Sequence, residues 1–158
     1  MISQYASFFC DITHMVIEQD PRWIEFFKRD FKLPPTSQII QFNYDFVPYK
    51  DTKKVRVYQN FQESVAGSTY DFISIDAPLG GDMKEYARID ILSLIPQHLD
   101  KDFIIMIDDT NRSGEKHTVN EIEECLGMNG IEYQCGKYLG IKECTLLCSK
   151  SLGFLSSM

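Results

Sequence analysis

Short apolar segments alternate with amphipathic segments along the chain, and this alternation predicts strands separated by helices. Residues 70–76 have an apolar centre that suits burial on both faces of a parallel sheet, and residues 103–107 are predicted to form another buried strand. Residues 40–46 alternate apolar and polar positions with period two, which is also typical of a strand. Further strands are predicted at residues 13–19, 53–58, 132–138 and 141–149.

Helices are predicted between several of these strands. Asp20 and Pro21 begin one of them, because they supply a cap and a preset first φ angle. Its aromatic residues Trp23, Phe27 and Phe31 fall on one face, and we expect that face to pack into the core. The other helices are predicted at residues 3–9, 83–95 and 113–126.

Alternating strands and helices that end in an antiparallel pair predict an α/β fold. We expect a doubly wound, mostly parallel sheet that finishes in a C-terminal hairpin turning at Gly140. A chain of 158 residues with 44% apolar content can bury one sizeable core but not two independent ones. Residues 1–158 are therefore interpreted as a single domain.

Acidic residues stand where three of the predicted strands end. Glu18 closes the strand of THMVIEQD, and Asp76 closes the strand of DFISIDAP. Asp108 and Asp109 close the strand of DFIIMIDD. Because ligands of open α/β sheets collect beyond the carboxyl ends of the parallel strands, we expect these carboxylates to meet around one crevice.

Composition restricts the partners of that crevice. A formal net charge of −7 argues against a surface that binds nucleic acid or anionic lipid, since such surfaces cluster lysine and arginine. A small-molecule substrate of polar character agrees better with this charge. The chain shows neither a membrane-spanning apolar run nor the basic start of a signal peptide, so a cytoplasmic location is expected.

The five cysteines show no C-x-x-C pair, which gives zinc or thioredoxin-like chemistry little support. Reduced structural thiols are the default in a cytoplasmic protein. Cys135 and Cys144 could face each other across the C-terminal hairpin, but a required disulfide is not expected.

Three segments and the closing hairpin carry a resemblance to a known family. The segments are THMVIEQDPRWIEFF, YDFISIDAPLGG and YARIDILSLIPQHLDKDFIIMIDDTNRSGEKHT. Together with the hairpin they resemble strands two, four, five, six and seven, with their helices, of class I S-adenosylmethionine-dependent methyltransferases. The resemblance covers nearly the whole chain and implies a Rossmann-like fold. The patterns IDAP-G and D-D-x-x-R-x-x-E also resemble, distantly, polysaccharide O-methyltransferases that modify glucuronoxylan.

The resemblance implies a binding site for S-adenosylmethionine. Glu18 takes the place of the family's acid that holds both ribose hydroxyls, and a carboxylate suits this task because each oxygen can accept a hydroxyl proton. Asn43 and Asp45 could approach the adenine edge, and Asp76 also falls at the cofactor. The alternatives are that Glu18 only favours the following helix N-terminus, and that Asn43 and Asp45 form a solvated face.

One departure from the family concerns its first strand and Gly-rich loop. Only two residues precede SQYASFF, which resembles the helix that follows that loop, so the chain is expected to be an N-terminally shortened version. The missing strand would be central and its loss would leave two unpaired edges. Besides shortening, another copy of the chain could lend a strand in a homo-oligomer, or the flanking strands could pair directly.

The aspartates have two chemical interpretations. Asp76 could be a general base, or it could join Asp108 and Asp109 in holding a divalent metal that lowers the pKa of an acceptor hydroxyl. The family's metal-dependent members carry acids at similar strand ends, commonly with Asp-Asn at the last one, where this chain has Asp-Asp. The alternative is that these aspartates only cap loops and helices.

Charged residues flank the same region. Arg88, Arg112, Glu115 and His117 could recognise an anionic or sugar-like acceptor. Arg112 is the best candidate, because a guanidinium offers a planar fork to carboxylate or phosphate. The alternative for Arg112 is an ion pair with Asp109 or Glu115, and the alternative for His117 is an exposed helix position.

The catalytic set is therefore predicted to be Asp76, Asp109 and Arg112, in a methyltransferase-like protein that transfers a methyl group to a hydroxyl of a small polar or sugar-like acceptor. A competing interpretation is a non-catalytic binding or assembly remnant of the same scaffold. A different nucleotide-binding enzyme ranks last, because neither G-x-x-x-x-G-K-[ST] nor G-x-G-x-x-G is present.

Overall fold

The computed structural model describes residues 11–157, so the helix predicted at residues 3–9 lies outside the described residues. The chain divides into two compact units, Met1–Tyr44 and Asp45–Met158. Each unit is described by itself. The interpretation of residues 1–158 as a single domain stays a prediction.

The first unit contains two strands and one helix. Strand β1 (His14–Glu18) pairs in parallel with β2 (Ser37–Gln41), and helix α1 (Pro21–Asp30) connects them. The predicted start of α1 is confirmed, because the Asp20 side chain caps the helix by accepting a hydrogen bond from the Arg22 backbone N–H at 2.9 Å.

The prediction that the aromatic face of α1 packs into the core is wrong. Trp23 is 54% exposed, and Phe27 and Phe31 are 36% and 37% exposed. The buried residue of α1 is Ile24. A two-stranded sheet is too narrow to cover the whole aromatic face of a helix. Trp23 and Phe27 each contact the ring of Phe26, and Phe27 contacts that of Phe31.

The second unit contains a pair of strands and a larger sheet. Strands β3 (Tyr44–Tyr49) and β4 (Thr52–Tyr58) pair with each other and lead to a short helix α2 (Phe61–Val65). The larger sheet has the strand order β5-β6-β8-β7. Its strands are β5 (Tyr70–Ile75), β6 (Leu99–Ile107), β7 (Tyr133–Leu139) and β8 (Glu143–Ser149).

Strand directions in the four-stranded sheet follow the sequence pattern. Strand β5 is parallel to β6, whereas β8 is antiparallel to both β6 and β7. The predicted C-terminal antiparallel hairpin is therefore confirmed. Helix α3 (Ser113–Met128) follows β6. The side chains that form the solvent-excluded core here are Phe103, Ile105, Ile107, Ile122, Leu126 and Leu147.

Two predicted elements differ from the structure. The single strand at residues 40–46 is instead split between β2 and β3, since the chain leaves β1 after Gln41 and β3 pairs with β4. The helix at residues 83–95 is instead a series of turns and a 3-10 helix (Ile89–Leu94). Tyr86 and Arg88 have φ values of 53° and 65°, which an α-helix of L-residues excludes.

The mixed α/β class is confirmed. The described strands are distributed over three sheets, so one continuous doubly wound sheet is not observed in residues 11–157. Two elements had no sequence signal, namely α2 and a 3-10 helix at Lys150–Ser157. Within the described part of the chain, none of the helices has the length and apolar character needed to cross a membrane.

Candidate active site at the ends of strands β5 and β6

Parallel pairing of β5 with β6 brings three aspartates together. Ile75 is in register with Ile107, so the residues that follow both strands emerge at the same edge. The backbone N–H of Asp108 continues the pairing by donating to the Ile75 carbonyl oxygen at 3.0 Å. Carboxylate oxygens of Asp76, Asp108 and Asp109 all lie within 4.8 Å of one another. The sequence prediction that these aspartates meet is confirmed.

The Arg88 side chain connects the loops that follow β5 and β6. Its Nε donates to the carbonyl oxygen of Pro78 at 3.4 Å, and its Nη1 donates to the carbonyl oxygen of Asp108 at 3.0 Å. Its Nη2 lies 3.1 Å from Asp76 Oδ1 and 3.2 Å from Asp109 Oδ2. The Arg88 side chain is only 3% exposed. It therefore does not face an acceptor, contrary to the expectation from the sequence, and its contacts hold the aspartates in place.

Asp109 is the most heavily paired carboxylate. Arg112 Nη1 lies 2.8 Å from its Oδ2, which also contacts Arg88, and Lys142 Nζ lies 3.0 Å from its Oδ1. Asp109 has a φ of 62°, a left-handed conformation that is uncommon outside glycine. The ion pair between Arg112 and Asp109, an alternative raised by the sequence, is thus present. These cations hold the buried carboxylate in a strained loop.

Thr110 fixes the same loop to β8. Its backbone N–H donates to the Glu143 carbonyl oxygen at 2.8 Å, and its hydroxyl donates to Glu143 Oε1 at 3.1 Å. The Thr145 hydroxyl donates to the Thr110 hydroxyl at 2.9 Å. The loop that carries Asp108 and Asp109 is therefore attached to the neighbouring strand on its far side.

Glu115 supplies a fourth carboxylate, which contacts the same two arginines as Asp109. Its side chain is fully buried on α3, and its Oε1 lies 3.7 Å from Arg88 Nε and 3.6 Å from Arg112 Nη1. Neither oxygen has a hydrogen-bond partner among residues 11–157. A Cβ added at Gly80 would collide with Glu115 Oε1, so only glycine lets the loop after β5 approach so closely.

Asp76 and Asp109 have opposite electrostatic environments. Desolvation raises the pKa of Asp76 although its side chain is 65% exposed, and the charges of Asp108 and Asp109 add to the rise against Arg88 and Lys142. Burial alone would also raise the pKa of Asp109. The hydrogen bonds from Lys142 and Arg88 and the charge of Arg112 lower that pKa below its ordinary value.

The pKa values of these two neighbouring carboxyl groups are shifted in opposite directions, as in an acid-base pair. A carboxylate with a raised pKa that faces solvent can accept a proton from an acceptor hydroxyl. A carboxylate with a lowered pKa that is paired to three cations remains charged and fixes their positions.

Glu18 lies in the first unit, at the end of β1. Its Oε1 accepts hydrogen bonds from the backbone N–H groups of Gln19 at 2.7 Å and Asp20 at 2.9 Å. This is the local role that was the alternative to ribose binding. Asn43 is exposed in the link after β2, and Asp45 is exposed on β3, so they do not share one strand as predicted.

Lys142 was assigned no role from the sequence, and His117 was assigned a place near the acceptor. Lys142 was not predicted, since it lies in the β7–β8 turn and no local pattern marks it. His117 is half-buried with its ring centroid 5.4 Å from that of Tyr86, and it contacts none of the three aspartates in the described contacts.

A separate open hollow of about 380 Å³ lies between the β3–β4 pair and the 3-10 helix Ile89–Leu94. Tyr49, Tyr58, Phe61 and Asp90 are among its lining residues. None of the predicted site residues lines it, so the hollow is distinct from the aspartate cluster.

No protein-family model and no curated protein matches the chain. Among solved structures, it is similar to the crystal structure of a methyltransferase from Pyrococcus furiosus. The two share 18% sequence identity with a TM-score of 0.55, and the alignment covers 95% of this chain and 68% of that chain. At this identity the likeness concerns the fold alone. The chain therefore has a methyltransferase-like α/β fold.

Proposed function

We propose that the protein is an S-adenosylmethionine-dependent methyltransferase that transfers the methyl group to a hydroxyl of a small polar or sugar-like acceptor. The observation that carries the proposal is the aspartate cluster at the ends of two parallel strands, in a chain with a methyltransferase-like fold. A Rossmann-like arrangement in one domain is part of this proposal.

In this proposal Asp76 is the general base. Its carboxylate is the exposed member of the cluster, and its raised pKa brings its proton affinity nearer to that of a working base. Bound S-adenosylmethionine would supply an electrophilic methyl group, with S-adenosylhomocysteine leaving as the sulfur–carbon bond breaks. Asp76 would take the proton of the acceptor hydroxyl while the hydroxyl oxygen forms the new bond to that carbon. Little further covalent help is required, because alignment of the reacting groups provides much of the acceleration.

Asp109 and Arg112 position the acceptor in this proposal. Arg112 is 39% exposed, and its Nη1 is held by Asp109 Oδ2 at 2.8 Å. A guanidinium has five N–H donors, so a fixed Arg112 can offer others to an anionic or polar acceptor. The net charge of −7 favours such a small acceptor over nucleic acid or an anionic membrane, and a cytoplasmic location agrees with it.

Cofactor binding is proposed for Glu18, with Asn43 of the same unit as a further contact. The two backbone N–H groups that bind Glu18 Oε1 fix its carboxylate, and Oε2 is the oxygen proposed to accept a ribose hydroxyl. This assignment rests on the resemblance of VIEQD to the family's second strand.

A divalent metal does not fit the aspartates as they are arranged. Three carboxylates within 4.8 Å are suitable ligands for a hard cation. Both Asp109 oxygens are nevertheless bound by cationic side chains, and Asp108 Oδ2 lies 3.2 Å from Lys142 Nζ. No step is therefore assigned to a metal.

Calorimetric titration with S-adenosylhomocysteine tests the proposed function. We expect saturable binding by the wild-type protein, and a loss of about 10- to 100-fold in affinity for Glu18→Ala, since charge-assisted hydrogen bonds contribute about 1.5–3 kcal/mol. Glu25→Ala is the matched control, because Glu25 is exposed on α1. Absence of binding by well-folded protein would contradict the proposal, and unchanged affinity of Glu18→Ala would reject the ribose role.

A non-catalytic binding or assembly module is the second candidate. It is favoured by Glu18, whose Oε1 is used locally by the turn that leads into α1. The same titration separates the candidates, because such a module would give no heat with S-adenosylhomocysteine.

We also propose that a second copy of the chain completes the sheet. Among the strands of residues 11–157, β5 pairs only with β6 in the four-stranded sheet, and an edge strand offers unpaired backbone groups to another strand. Mass measurement by light scattering should then give a dimer or larger species. A monomer that binds the cofactor analogue would contradict this assembly.

A further inference from the structure

The aspartate cluster already contains its own cations. Four carboxylates, from Asp76, Asp108, Asp109 and Glu115, contact the side chains of Arg88, Arg112 and Lys142. The contacts come from different elements, since the three cations lie before the 3-10 helix Ile89–Leu94, at the start of α3 and in the β7–β8 turn. The protein thus neutralises most of the charge that a metal would otherwise balance.

Lys142 contacts both members of the Asp108–Asp109 pair. Its Nζ lies 3.2 Å from Asp108 Oδ2 and 3.0 Å from Asp109 Oδ1, between the two consecutive carboxylates. An ammonium group is a compact point charge with three donors, so it can satisfy two carboxylates at once. This positive charge would repel a divalent ion bound by the same oxygens.

The three cations differ in how firmly they are held. Arg88 is 3% exposed and bonded to both strand-end loops, whereas the Lys142 side chain is 52% exposed. Removing Arg88 would disrupt a buried network, but removing the Lys142 charge leaves the aspartates on their own strands. Lys142 is the cation whose contribution can be isolated.

We propose that Lys142 is the resident cation of the Asp108–Asp109 pair and that its ammonium group keeps divalent ions out of the cluster. The site then performs its chemistry with protein cations in the place of a metal. This inference concerns the same site as the proposed function, but it rests on charge geometry and its test requires neither cofactor nor acceptor.

The test is Mn²⁺ binding, followed by calorimetry and by the electron paramagnetic resonance signal of free Mn²⁺. We expect weak binding to the wild-type protein and at least tenfold tighter binding to Lys142→Met, because a like charge is removed from the immediate surroundings of the ion. Lys142→Arg retains the charge and should bind as weakly as the wild type. Lys150→Met is a second control, since Lys150 pairs with Glu132 at an exposed site.

A further variant locates the gained site. Adding Asp108→Asn to Lys142→Met should remove the gained affinity, because the ion loses a charged ligand. Lys142 and Asp108 are not buried, and circular dichroism with thermal unfolding checks that both variants fold.

A folded Lys142→Met that binds Mn²⁺ no more tightly than the wild type would overturn the proposal, because it would show that Lys142 does not exclude the ion. If Lys142→Met gains Mn²⁺ while the wild type fails to bind S-adenosylhomocysteine, the proposed function is rejected and the role of Lys142 stands.

Discussion

The two units of the molecule place an acid at the end of a strand in different ways. Glu18 at the end of β1 is bound by backbone N–H groups of the next two residues. Asp109 at the end of β6 is bound by Arg88, Arg112 and Lys142, which come from separate elements. The same sequence feature therefore gives local backbone hydrogen bonds in one unit and a long-range charge cluster in the other.

Sheet width accounts for much of this difference. All five residues of β1 are half-buried, whereas Phe103, Ile105 and Ile107 of β6 are excluded from solvent. A strand that has a neighbouring strand on each side ends in a desolvated environment. A carboxylate at that position requires cationic partners. A two-stranded pair leaves its end accessible to water.

The largest effect is expected when the buried network loses its central cation. Arg88→Met leaves Asp109 and Glu115 with fewer cationic partners, and breaking a buried ion pair costs about 3–5 kcal/mol of unfolding free energy. Urea denaturation measures the loss. The matched change in the first unit is Arg22→Met, whose guanidinium pairs with Asp20 but is 87% exposed, and it should give no measurable loss. Equal losses would contradict the comparison.

A smaller difference is expected between matched core residues. Ile105→Ala on β6 empties a site that is 0% exposed and should cost about 2–5 kcal/mol. Ile17→Ala on β1 changes a half-buried position, so the loss should be clearly smaller. The free energies come from urea unfolding of both variants beside the wild type. The account of sheet width fails if Ile17→Ala is the more damaging change.

Asp90 is a desolvated carboxyl group that has no cationic partner among the described contacts. Desolvation raises its pKa to about 6, and its Oδ2 has no hydrogen-bond partner in the described part of the chain. Because the folded pKa lies above the unfolded value of 3.8, the contribution of Asp90 to stability is present below pH 3.8 and is lost as the pH rises through about 6.

Asp90→Asn should therefore stabilise the protein at pH 8 by at most about 2–3 kcal/mol and have little effect at pH 4, since each pKa unit corresponds to about 1.4 kcal/mol. The amide can keep the hydrogen bond from the Tyr58 backbone N–H. Chemical denaturation at the two pH values measures the difference. A stabilisation that is the same at pH 4 and pH 8 would exclude titration of Asp90 as its cause.

Local patterns predicted the parts of the fold that depend on local chemistry. The apolar runs before Asp76 and Asp108 gave β5 and β6, and Asp20 with Pro21 gave the start of α1. Since parallel strands end at the same edge, the meeting of Asp76 with Asp108 and Asp109 followed from the same reasoning.

Long-range contacts explain what the sequence did not predict. The periodicity of residues 83–95 indicated a helix, but Arg88 turns into a left-handed conformation and its side chain binds carboxylates of two distant loops. Lys142 reaches the cluster only because β8 pairs with β6. The exposed Trp23 face could not be foreseen from its spacing, because spacing does not reveal how wide the covering sheet is.

The most direct test of the account is a pH titration of the aspartate carboxyl carbons by NMR, with Asp76→Asn and Asp109→Asn used for assignment. The account predicts that Asp76 titrates above the ordinary value of 3.8 and Asp109 below it, since Lys142, Arg112 and Arg88 favour the charged form of Asp109. Identical titration of the two residues, or the reverse order, would contradict the assignment of Asp76 as base and Asp109 as the cation-held carboxylate.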